Sequence, residues 1–133
     1  MKQFYTNNYS KKGRDPKAVS ISAKASSYFY GRWYLYLAPS WEIINGIKYG
    51  GWTEADYTRA YLDLIINERN LTPERVVDDL EDGSILLCYE ADDGSFCHRH
   101  IVAEWIESGT GILVREWRQS TPQEELIKSL VEF

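Results

Sequence analysis

The residues of this chain best suited to chemistry lie close together, as Cys88, Glu90, Cys97, His98 and Arg99. A cysteine near a helix amino end and beside cationic side chains is the arrangement that lowers a thiol pKa, because dipole and charge both favour the thiolate. On this reading Cys97 is a candidate nucleophile and His98 its acid–base neighbour. Glu90 follows an apolar strand, where a carboxylate could serve as general base or bind a ribose hydroxyl. Arg99 offers a planar fork of donors that suits an anion. Cys88 alternates with Glu90 and so shares its side of the strand. The bland alternatives are a loop-exposed Glu90 and cysteines that act as small buried hydrophobes. No Gly-rich phosphatase loop follows Cys97. The set Cys88, Cys97, His98 and His100 has zinc-ligand types. Adjacent Cys97 and His98 chelate one ion awkwardly, however, and no paired CxxC is present, so no metal or cofactor is assigned.

The elements that must position these residues are legible. Ile85-Leu86-Leu87 is an unbroken apolar run, the pattern of a strand covered on both faces. Ser95 can cap a helix with Ile101, Val102, Trp105 and Ile106 on one side, which would put Cys97 at its second position. Cys97 should then alkylate faster than Cys88, whose apolar strand raises its pKa. Upstream, Thr53 with Asp56 and Thr72 with Pro73 mark two helix starts, near 53–67 and 73–81. Ser108-Gly109-Thr110-Gly111 stops the motif helix of 97–107, residues 111–117 read as a strand, and Thr121-Pro122 opens a helix over 122–131 whose Leu126, Ile127, Leu130 and Val131 form a stripe expected to be buried. Strand formers recur at 3–9 and 18–22. The basic loop between them is short for a crossover, so this pair is either antiparallel or separated by other strands. The alternation predicts one α/β domain over residues 1–133, with a mostly parallel central sheet and helices on both faces, Rossmann-like and three-layered. Strand 84–90 should be central, flanked by strands near 18–22 and 111–117.

Composition narrows the function. The chain has 133 residues and is 44% hydrophobic, enough for one core. No stretch of membrane-spanning length exists and Met1-Lys2-Gln3-Phe4 lacks a signal-peptide pattern, so a cytoplasmic protein is expected. In that compartment two cysteines predict thiols rather than a disulfide. The net charge of −5 is divided. Residues 1–50 hold eight basic and two acidic side chains, and residues 51–133 hold seven basic and eighteen acidic. A basic segment on an acidic protein points to a local anion site rather than to a nucleic-acid surface. Lys12 and Arg14 lie in that segment. Between residues 28 and 51 the chain is aromatic and reads as irregular. Trp33 or Trp41 could stack on a flat ring there, with Arg32 contacting an anion.

The pairing of Cys88-Tyr89-Glu90 with Cys97-His98-Arg99 across a short acidic loop resembles the motif of the prokaryotic domain-of-unknown-function family numbered 488. The flanking Ile85-Leu86-Leu87 and His100-Ile101-Val102-Ala103-Glu104-Trp105 look like that family's strand and following helix, and Lys12 to Ser22 resembles the amino-terminal part of a compact subgroup. Many family members end an early strand on Asp-Val-Arg, where this chain has Ser20-Ile21-Ser22. The resemblance implies a small α/β protein with cysteine, histidine and arginine gathered at one crevice, and it carries no established reaction. The leading expectation is therefore an enzyme-like domain that binds a small anionic, nucleotide-like ligand. The competing class is a noncatalytic regulatory module, in which the motif is structural and the partner is another protein or a second copy of the chain.

Overall fold

In the computed structural model, residues 2–24, 29–89, 96–117 and 122–131 are described. Strands β1 (Phe4–Asn8), β2 (Ala18–Ser20), β3 (Arg32–Trp33), β4 (Ile85–Cys88) and β5 (Val114–Glu116) form one sheet in the order β3-β2-β4-β1-β5. All four pairings are parallel. The helices are α1 (Tyr9–Lys12), α2 (Trp41–Tyr49), α3 (Glu54–Asp63), α4 (Pro73–Asp79), α5 (His98–Thr110) and α6 (Pro122–Val131), and a π-helical turn, Leu64–Glu68, extends α3. This is the α/β architecture that the alternation of patterns predicts. Among the described residues no helix is long and apolar enough to cross a membrane.

Register explains how two cores form. Val19 pairs with Leu86 and Phe4 with Val114, and these four belong to the larger cluster, with Tyr57, Tyr61, Ile65, Val76, Leu80, Val102 and Ile106 of the helical layer. Their neighbours along the strands, Tyr5, Ala18, Ile85 and Leu87, join a smaller cluster with Tyr9 and Phe29. Side chains alternate with a period of two along a strand, so the clusters lie on opposite faces of the sheet.

The expected helix signals are present. Thr53 and Asp56 form a capping box, Thr72 accepts from the Arg75 N–H ahead of Pro73, and Gly111 ends α5 in the left-handed region with φ 74°. Three expectations are corrected. Strand β4 is flanked by β2 and β1, and β5 lies outside β1. The polar end of β1 disguises an inner strand because its side chains are satisfied by the end of β5 and by the start of α1. Thr6 donates to Glu116 (2.6 Å), Asn7 donates to the Trp117 carbonyl (3.0 Å) and the Asn8 side chain caps α1. Second, part of the aromatic stretch is helical. Ser40 caps α2, and Gly46, which reads as a breaker, leaves room for the Trp52 indole against the helix backbone. Third, Leu126, Ile127, Leu130 and Val131 of α6 are exposed, at 52–72%.

Leu86→Ala, on the fully buried face of β4, should cost about 2–5 kcal/mol in denaturant unfolding. Leu126→Ala on α6 should stay within about 0.5 kcal/mol. Similar losses from the two substitutions would contradict the exposure of α6.

Candidate functional site

The motif assembles where β4 ends and α5 begins. Cys88 closes β4 opposite Asn8 of β1, and Cys97 is the N-cap residue of α5, with extended backbone and no side-chain capping bond. Ser95 and Glu90 lie outside the described residues, so Ser95's expected capping role and Glu90's expected general-base role have no geometry. Because the helix starts at His98, Cys97 stands ahead of its first turn instead of at its second position. Cys88 and Cys97 are joined as a disulfide, with Cα atoms 7.4 Å apart, and neither is a free thiol. This corrects the expectation of two independent thiols. That expectation rested on compartment alone, whereas the fold brings residues nine apart in sequence into contact.

Arg99 is 0% exposed. Its Nε and Nη2 donate to the two carboxylate oxygens of Glu116 at 3.1 and 2.9 Å, and Nη1 donates to Cys88 Sγ at 3.1 Å. Glu116 also accepts from Thr6, so the guanidinium holds the first turn of α5 to the ends of β4 and β5 and, through Glu116, to the middle of β1. Glu116 was missed in the sequence, although it too ends a strand.

His98 ties the same turn to β2. Its Nε2 lies 2.6 Å from the Ile21 carbonyl, which can only accept, so Nε2 carries the proton and Nδ1 presents a lone pair toward Cys97 Sγ at 3.8 Å. Burial lowers the His98 pKa to about 4. The hydrogen bond to Ile21 opposes that shift, and the charge of Arg99 adds to it. His98 is therefore a neutral imidazole at neutral pH.

A crevice of about 410 Å³ opens beside this cluster. Chain connections run outward from β2 to β3 and the opposite way from β4 to β5, so β2 and β4 form a topological switch point, where open α/β sheets place their ligands. Cys88 and His98 lie on the wall with Ser22, and Trp41, Tyr57 and Tyr89 add rings. Lys24 and Lys48 also line it, and among the described lining residues none is acidic. Ser22 is 5% exposed, and its hydroxyl has no hydrogen-bond partner among the described residues.

Of the residues singled out in the sequence, Cys88, His98 and Trp41 line this crevice, and Cys97 touches it through the disulfide. Arg99 stands behind, against Glu116. Arg32 and Trp33 are on edge strand β3, lining a separate open hollow with Arg69 and Arg75. Lys12 lies 3.2 Å over the Trp117 ring and near Asp15, and Arg14 is exposed on the following loop. Ser22 and Lys24 follow the end of β2, and the rule that ligands sit beyond strand ends would have found them. Lys48 depends on α2, whose Gly46 hid it.

In the untreated protein, maleimide should label neither cysteine, and after reduction mass spectrometry should find two adducts. Labelling without reductant would remove the disulfide. A second outcome concerns pH. The unfolded histidine titrates near 6.5 and His98 near 4, so between these values the unfolded chain binds more protons. The His98 contribution is complete above about pH 6.5 and is lost as pH falls toward 4, by a few kcal/mol at most. His98→Gln, whose amide can still donate to Ile21, should flatten that part of the stability–pH curve, and an unchanged slope would deny the buried neutral state.

A family model described as "Active DUF488-N3 subclade", DUF488-N3a, matches residues 9–110, from the start of α1 to the end of α5. That span holds both cysteines, His98 and Arg99, and excludes β1 and Glu116. No curated protein and no solved structure matches the sequence. The match covers most of the chain and contains the whole Cys88 to Arg99 motif, and the chain belongs to the DUF488 family.

Proposed function

We propose that the crevice between the carboxyl ends of β2 and β4 binds a small anionic ligand with a flat, nucleotide-like ring. The charge of its wall carries this reading. Lys24 and Lys48 line it with no carboxylate among the described lining residues, in a chain of net charge −5. Trp41, 59% exposed, and Tyr89 offer ring faces for stacking. The Ser22 hydroxyl, without a partner among the described residues, can hydrogen-bond a polar group that enters. While the disulfide is intact neither sulfur is a nucleophile, so thiol chemistry at Cys97 belongs to the reduced protein. Arg99 serves this site by holding α5 in place, and the lysines supply the charge that meets the ligand.

A noncatalytic module is the second reading, favoured by the exposed apolar stripe of α6. On that reading Arg99, His98 and the disulfide fasten the helix to the sheet, and binding to a protein partner is indifferent to the crevice lysines.

A thermal-shift panel of nucleoside monophosphates, sugar phosphates and inorganic phosphate separates the two. At about 100 times its Kd a ring-bearing anion should raise Tm by on the order of 10 °C. Lys24→Glu combined with Lys48→Glu should abolish the shift. If no anion stabilises the protein, or if the double variant responds like the unaltered chain, the crevice reading is wrong.

A further inference from the structure

Cys88 Sγ, Cys97 Sγ and a ring nitrogen of His98 all lie within 4.8 Å of one another, and all three residues are buried. We propose that the reduced form of this cluster is a Cys2His site for a zinc-like divalent cation, with its fourth position open to the crevice. The inference uses the crevice as a cavity and does not depend on the anionic ligand.

The spacing of Cys97 and His98 suits such an ion, and reduction frees the two sulfurs to separate around it. Zinc–sulfur and zinc–nitrogen bonds of about 2.3 and 2.0 Å put tetrahedral ligand atoms roughly 3.6 Å apart. His98 Nδ1 and Cys97 Sγ are 3.8 Å apart already. Their adjacency in sequence argued against shared chelation, yet the extended backbone of Cys97 ahead of the helical His98 lets the two side chains converge.

The surrounding groups also match what a bound metal needs. A ligating imidazole usually donates its other N–H to a fixed acceptor, and His98 Nε2 does so to the Ile21 carbonyl at 2.6 Å, leaving Nδ1 for the ion. A ligating thiolate is usually hydrogen-bonded, and Arg99 Nη1 already lies 3.1 Å from Cys88 Sγ. Charge balances as well. Two thiolates neutralise a divalent cation, and Arg99 is neutralised by Glu116, so no net charge is buried. Cys88 and His98 both face the crevice, so the remaining coordination position would take water or a ligand atom, the arrangement of catalytic zinc rather than closed structural zinc.

The sulfurs must first be freed. A phosphine reductant takes oxygen from one water, becomes the phosphine oxide and leaves two thiols. Metal entry then forms two metal–sulfur bonds and releases the two thiol protons.

The test is a titration of the full chain with Co2+ after anaerobic phosphine treatment and removal of the phosphine. One Co2+ per chain should bind, with thiolate-to-cobalt charge-transfer absorption and tetrahedral ligand-field bands, and Zn2+ should displace it. Zn2+ should also slow maleimide labelling of both cysteines by more than tenfold. Cys97→Ser and His98→Ala, checked for folding by circular dichroism, should each weaken Co2+ binding by more than about 100-fold, beyond the range of a lost supporting contact. Absent charge transfer, unprotected cysteines, or unchanged affinity in a folded Cys97→Ser protein would each overturn the proposal. The protection measurement needs no variant, so it stands even if a substitution prevents folding. Lys24→Met with Lys48→Met, which removes the charge without adding a metal ligand, should leave Co2+ binding intact, which separates failure of this site from failure of the anion crevice.

Discussion

The buried guanidinium of Arg99 is the constraint on which the site depends. A charge with no access to water is tolerated only when its donors are met, and a bidentate carboxylate is the partner that best matches the planar fork. Glu116 supplies that carboxylate from β5, Cys88 Sγ takes a further donor from β4, and Thr6 of β1 holds Glu116 in turn. One side chain therefore aligns the ends of β4 and β5 with the first turn of α5, and Glu116 extends the tie to β1. The hydrogen bond from His98 to Ile21 adds β2. The positions of Cys97 and His98 follow from these four attachments, because a helix whose first turn is held to strand ends has little freedom to reorient its first side chains.

This arrangement separates two uses of positive charge. Arg99 is spent internally, and the crevice takes its charge from Lys24 and Lys48, which follow β2 and close α2. A surface lysine keeps its hydration until a ligand arrives and can be replaced without unfolding the core, whereas loss of the arginine would strand a partly buried carboxylate. The crevice also lies where connections diverge on either side of the β2–β4 pair, so strand order sets its place, and the segment after β2 and helix α2 complete its wall.

Much of the fold was legible because helix and strand signals are local. Thr53 with Asp56, Thr72 with Pro73, and Gly111 act within a few residues of themselves, and each behaves as its type and spacing require. The polar end of β1 and the glycine in α2 misled for a common reason. Thr6, Asn7 and Gly46 look like turn residues until their partners are known, and those partners, Glu116, Trp117 and Trp52, are respectively 110, 110 and six positions away.

The sequence by itself determined the α/β class, the buried central strand, the helix that follows it and the grouping of cysteine, histidine and arginine at their junction. Those properties depend on hydrophobic period and on residues adjacent in the chain. Only the tertiary structure decided that the two sulfurs meet, that Arg99 faces Glu116, that His98 holds its proton on Nε2, and that Lys24 and Lys48 share a crevice with Trp41. Each of these is a contact between residues whose separation along the chain carries no signal of their proximity. Strand order brings them together, and strand order is set by how two opposed faces of one parallel sheet are buried at once.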